Sequence, residues 1–210
     1  MNEIYKRAIF GTAYVIIMWT SVSYSKYSFS ILFAILGILS IYEMWKLRKE
    51  KSKFIALLYI LTPFILVQFI SSSKSEEHWN TNLILFIFAL TWTFDTFAYL
   101  FGVKFGKNKI MPSISPKKSW EGFIGGSIFT IILAYFSYRY FNFENRKIPM
   151  IISILLPFTA TIGDFIESYY KRKAGVKDSG KIIPGHGGIL DRMDAFTITI
   201  PTVYLLIKLL

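Results

Sequence analysis

The sequence predicts an all-α, polytopic integral membrane protein of about seven transmembrane helices, with two polar loops forming its site. Three observations predict it. Hydrophobic residues make up 53% of the 210 positions, and they come in long runs rather than interleaved with charge. A run of roughly 18 such residues spans a bilayer. These runs lack the polar face that a soluble helical core would need. The charged residues, finally, fall between the runs.

The runs are Tyr5–Val22, Phe29–Trp45, Phe54–Ile70, Leu83–Phe101, Phe123–Phe141, Ile148–Tyr169 and Ala195–Leu210. The first follows Lys6 and Arg7 as a signal peptide would, but Met18, Trp19 and Tyr24 stand where a small-residue cleavage site belongs, so it reads as a retained helix. The polar stretch SSSKSEEHWN, with His78, reads as a solvated outer loop. No repeat or linker divides the chain. Residues 1–210 read as one membrane-embedded domain, with N-terminal helices in 1–80 and catalytic helices and loops in 81–210.

With the N-terminus in the cytoplasm, 18 Lys and Arg fall in cytoplasmic segments and 6 outside. The positive-inside rule therefore puts both long polar loops in the cytoplasm. The absence of cysteine excludes disulfides, thiolate metal sites and cysteine nucleophiles.

Four acids stand out inside or at the ends of runs: Asp95, Glu121, Asp164 and Glu167. A charge in hydrocarbon costs at least about 2.5 kcal/mol, so such acids face a partner, an ion or a wet cavity. On a helix, Asp164, Glu167, Ser168 and Lys171 form one stripe, and Gly163 permits close approach of another backbone. Pro157, two turns earlier, can bend that helix. Asp95 shares a face with Thr91, Tyr99 and Gly102.

In the first loop, Pro112 and Pro116 break any helix, and Ser113, Ser115, Ser119, Lys117 and Lys118 gather hydroxyls and ammoniums just before a new one. Ammonium groups and a helix N-terminus suit phosphate. The P-loop spacing is missing. In the second loop, Lys177 and Asp178 precede Pro184, Gly185, His186, Gly187 and Gly188, and Asp191, Arg192 and Asp194 follow. The glycines allow tight turns. Asp191 and Asp194 share a face if a helix has begun there, and with Asp164 they could make an all-oxygen site suited to Mg²⁺, Mn²⁺ or Ca²⁺. For His186 a loop hydrogen bond is the better reading than a metal bond. Together these residues equip a protein for phosphoryl or nucleotidyl transfer to a lipid.

The stretch SYYKRKAGVKDSGKIIPGHGGILDRMD (Ser168–Asp194) resembles the signature of the phosphatidate cytidylyltransferases, or CDP-diacylglycerol synthases. DTFAYLFGVKFG (Asp95–Gly106) and SPKKSWEGFIGG (Ser115–Gly126) also resemble that family. The resemblance implies transfer of the cytidylyl group of CTP to phosphatidate, with Mg²⁺ (or Mn²⁺) as cofactor. It implies Asp164, Asp191, Lys177 and Asp178 as catalytic residues, and Asp164, Asp191 and Asp194 as metal ligands. Ser115, Lys117, Lys118, Lys171, Arg172, His186 and Arg192 would bind substrate, with Asp95 and Glu167 in a second tier. It further implies the cell (inner) membrane, membrane-lipid partners, a homodimer and no nucleic-acid partner. The rivals are a CTP-dependent lipid kinase, an ether-lipid cytidylyltransferase and an ion transporter. The transporter leaves both polar loops without a role, and no inverted repeat supports it.

Overall fold

The computed structural model describes residues 3–48, 52–71 and 81–209; the stretch containing His78 lies outside the described residues. Among the described residues the chain forms α1 (Glu3–Tyr24), α2 (Lys26–Arg48), α3 (Phe54–Ser71) and α4 (Asn82–Phe105). A two-stranded antiparallel hairpin follows, β1 (Lys109–Met111) against β2 (Ser115–Ser119), and then α5 (Trp120–Ser137), α6 (Lys147–Lys173) and α7 (Leu190–Leu209).

The helices α2 to α6 are each long and apolar enough to cross a membrane. The apolar part of α1 is shorter, Ala8–Tyr24, and α7 opens with Asp191, Arg192 and Asp194, which shortens its apolar part too. Large apolar side chains such as Ile31, Ile65, Phe69, Ile128 and Ile154 are exposed on the outer faces, where a bilayer would cover them. The chain is a multi-pass, predominantly helical membrane protein.

The hairpin departs from the all-helical expectation. Pro112 and Pro116 rule out helix, and the chain pairs with itself instead. The register joins Lys109 to Ser119 and Met111 to Ser115 with an irregularity between, near Pro116, which has no N–H to give a ladder. Glu121 closes the hairpin by accepting from Asn108 N at 3.1 Å and Asn108 Nδ2 at 2.8 Å. Ser119 caps α5, its hydroxyl accepting from Gly122 N at 3.2 Å.

Helix packing brings the polar segments to one end of the bundle. α4 packs most extensively on α5, and α6 on α7. The core between α2, α3, α4 and α7 is aromatic: the Phe33 ring lies 5.5 Å from Phe196 and 6.3 Å from Phe88. α6 continues unbroken through Pro157. Contacts among α1, the end of α2, the hairpin and the α6–α7 loop then assemble a polar cap from segments far apart in sequence.

Candidate active site

The cap is built around Asp164 on α6 and Asp194 on α7. A side chain at Gly163 would run into the carbonyl of Asp194, so glycine there lets the two helices approach. Asp164, Glu167 and Asp194 each offer a carboxylate oxygen, and these lie within 4.8 Å of one another. Lys118 of the hairpin forms an ion pair with Asp164, and Ser168 Oγ donates to Asp164 Oδ1 at 3.3 Å. Asp194 Oδ1 accepts from the backbone N–H of Ala195 at 2.8 Å.

Hard oxygen donors at this spacing suit a divalent cation such as Mg²⁺. Glu167 is fully buried, and no hydrogen-bond donor reaches its Oε1. Such an orphaned buried oxygen beside two other carboxylates is what a cation would satisfy.

Asp191 walls the same cavity as Asp164 and Asp194, and its oxygens already have partners. Its Oδ1 accepts from Lys171 Nζ at 2.7 Å. Its Oδ2 accepts from Gly188 N at 2.7 Å and Ser179 N at 2.9 Å. Lys171 also pairs with Glu167. The helix presents Lys171 inward, buried, where it joins two acids. Arg172 is exposed and donates to the Val176 carbonyl at 2.9 Å, closing the end of α6, and lines none of the cavities described below. Ser115 lies in β2, opposite Met111. Asp191 and Lys171 thus pair with each other inside the cap, and Arg172 closes the end of α6.

Three cavities share residues of the cap. The central one, about 290 Å³, is walled by Asp95, Lys118, Asp164, Asp191, Arg192 and Asp194, with Tyr14 and aromatic side chains behind them. A second, about 530 Å³, lies between α4, α5 and the hairpin. Phe94, Ala98, Val103 and Phe123 line its apolar wall, and Lys109, Lys117 and Lys118 stand at its polar end. Tyr99 and Val103 in its wall are exposed, so it opens on the outer face of the bundle. A third, about 580 Å³, is polar, lined by Lys177, Asp178, Lys181, His186 and Arg192. Asp95 and Lys118 belong to both the central and the apolar cavity, and Arg192 to both the central and the polar one.

The turn bearing His186 depends on its glycines. Gly185 and Gly187 have φ of 79° and 85°, a region that L side chains rarely adopt. The loop hydrogen bonds come from the backbone: His186 N to the Ile183 carbonyl at 3.0 Å, and Ile183 N to Gly187 O at 3.0 Å. The ring packs edge-on to α1, where a Cβ on Gly11 would come within 3.1 Å of its Nε2. Its Nδ1 is buried without a partner, so the loop hydrogen bond expected of His186 is made by the main chain.

One acid escapes the sequence reading. Glu43 on α2 is buried and accepts from Ser179 Oγ at 2.7 Å, Leu190 N at 2.9 Å and Ile189 N at 3.1 Å. The signal for it is present in the sequence, since it is a carboxylate inside the second apolar run, where an unpartnered charge is costly.

The fold and these cavities define a multi-pass membrane protein whose carboxylate centre shares walls with an apolar cavity and with a basic groove. The family model described as "Cytidylyltransferase family" matches residues 53–210. The chain is 34% identical to the phosphatidate cytidylyltransferase of Rickettsia typhi, over 97% of this chain and 91% of that protein. It is 32% identical to the protein of that name from Staphylococcus saprophyticus, over 99% of this chain and 71% of the relative. In Haemophilus influenzae a third such relative is 44% identical, over 57% of this chain and 43% of its own length. The chain belongs to the cytidylyltransferase family.

Proposed function

We propose that this protein transfers the cytidylyl group of CTP to phosphatidate, releasing pyrophosphate and forming CDP-diacylglycerol. A phosphate oxygen of the lipid attacks the α-phosphorus of CTP, one P–O bond forms there, and the bond to the β-phosphate breaks. The observation that carries the reading is the set of residues that the three cavities share. The cavity of the carboxylate centre shares Asp95 and Lys118 with an apolar chamber, and Arg192 with a basic, polar groove. Membership of the family and similarity to enzymes named for phosphatidate support it.

The chemistry divides the cations between substrates. Acyl chains fit the wall of Phe94, Val103 and Phe123, with the lipid phosphate at Lys109, Lys117 and Lys118. The triphosphate fits the groove of Lys177, Lys181 and Arg192. Arg192 and Lys118 reach the central cavity from opposite substrates, so both could neutralise charge where the two phosphates meet. Asp164 and Asp194, with Glu167, would hold Mg²⁺. Bound there, the ion would offset phosphate charge and polarise the phosphoryl oxygens. Lys118 now pairs with Asp164, so arriving anions would compete for its ammonium.

We place the site at the cytoplasmic face of the cell membrane, with all seven helices spanning and α1 and α7 tilted little. The excess of basic residues at that end supports this orientation. The deciding experiment gives purified protein phosphatidate and radiolabelled CTP, with and without Mg²⁺. The expected products are labelled CDP-diacylglycerol and pyrophosphate. Release of CDP without pyrophosphate would make it a lipid kinase instead.

A further inference from the structure

We infer that Glu43, in the second helix and outside the matched family region, is the positioning residue that clamps the polar groove in shape. The family match begins at residue 53, yet α2 sends this one carboxylate into the cap. Glu43 is 2% exposed. Among the described residues no ion pair to it is seen; its partners are neutral donors at both ends of the α6–α7 loop. Ser179, between Lys177 and Lys181, bonds to its Oε2, and Ile189 and Leu190, just before Asp191 and Arg192, bond to Oε1 and Oε2. The residues between those anchors line the groove. One side chain therefore ties the start of the loop to its end.

Two further features fit the clamp. A side chain at Gly180 or at Gly188 would run into the Glu43 carboxylate, so two loop glycines serve to admit an acid from another helix. The backbone N–H groups of Ile189 and Leu190 lie at the start of α7, the positive end of its dipole, which favours a carboxylate there. Ser179 Oγ also lies 3.0 Å from Asp191 Oδ2. Its single proton can serve only one of the two acids at a time, so Glu43 and Asp191 share this hydroxyl. The clamp is thereby linked to the Lys171–Glu167 pair beside the carboxylate centre.

The groove's assignment to CTP rests on the proposed function; the clamp itself does not. The test uses full-length protein in detergent carrying Glu43→Ala, with Glu43→Gln as the isosteric variant that keeps the size and one acceptor oxygen. Hydrogen exchange is followed in residues 176–190 and, as a control, in α4 and α5. KM is measured separately for CTP and phosphatidate. Faster exchange confined to the loop is expected, with KM for CTP raised about tenfold or more in the alanine variant and less in the glutamine one, because bonds to a charged acceptor are lost. KM for phosphatidate should stay near its original value, since among the described residues the hydrogen bonds of Glu43 go to Ser179, Ile189 and Leu190. Unchanged loop exchange overturns the clamp. A loosened loop with unchanged KM for CTP keeps the clamp and overturns the groove's assignment to the nucleotide. Equal rises in both KM values overturn the positioning role.

Discussion

Asp164 and Asp194 wall the same cavity from two helices, and each has an oxygen close to the other's. Asp164→Asn and Asp194→Asn should each lower CDP-lipid formation by at least about a hundredfold, as losses of charge stabilisation at a reacting centre do. The proteins should still insert and purify. Near-normal turnover in either would remove that residue from the centre. Lys171 behaves differently, because it is buried between Glu167 and Asp191. Lys171→Met leaves two acids without their cation, which costs about 3–5 kcal/mol in a buried pair. A large drop in melting temperature is expected, partly restored by adding Glu167→Gln. If Lys171 instead bound substrate from a free position, the melt would hold while KM rose.

At the scale of elements, the contact of α6 with α7 sets the geometry. Gly163 lies against the Asp194 carbonyl. Gly163→Ala should push the helices apart, and a displacement of about 1 Å near the chemistry can cost about a hundredfold in rate. The expected signature is a fall in kcat at saturating substrates with the helical content unchanged. Full activity would mean that the helices absorb the methyl group elsewhere. The hairpin is the other element that matters, because it delivers Lys118 to Asp164. Its prolines and its lysines are plain in the sequence, but its pairing is not. Two strands of 3 and 5 residues have too little alternation to announce themselves.

For the whole molecule, the arrangement predicts a topology that can be checked directly. The chain has no cysteine, so single introduced cysteines report one position each. Lys181→Cys should react with a membrane-impermeant reagent from the cytoplasmic side, and Arg146→Cys from the opposite side. Labelling of both from one side would overturn the crossing of α6, which separates the two positions.

The class of protein and the neighbourhood of its chemistry were legible in the residues. Long apolar runs cannot fold stably in water without a polar face, so the helices and the membrane follow from composition and order. The stripe of Asp164, Glu167, Ser168 and Lys171 follows from helical period alone. What that stripe does was decided by tertiary structure. Period puts Asp191 and Asp194 on one face, but only the packing of the α6–α7 loop points Asp191 at Lys171 and leaves Asp194 beside Asp164. Glu43 shows the same limit from the other side. It is 136 residues from Ser179 in the chain, and local pattern carries no information about contacts over such a separation. Those contacts arise when the helices pack and each buried carboxylate must find its donors.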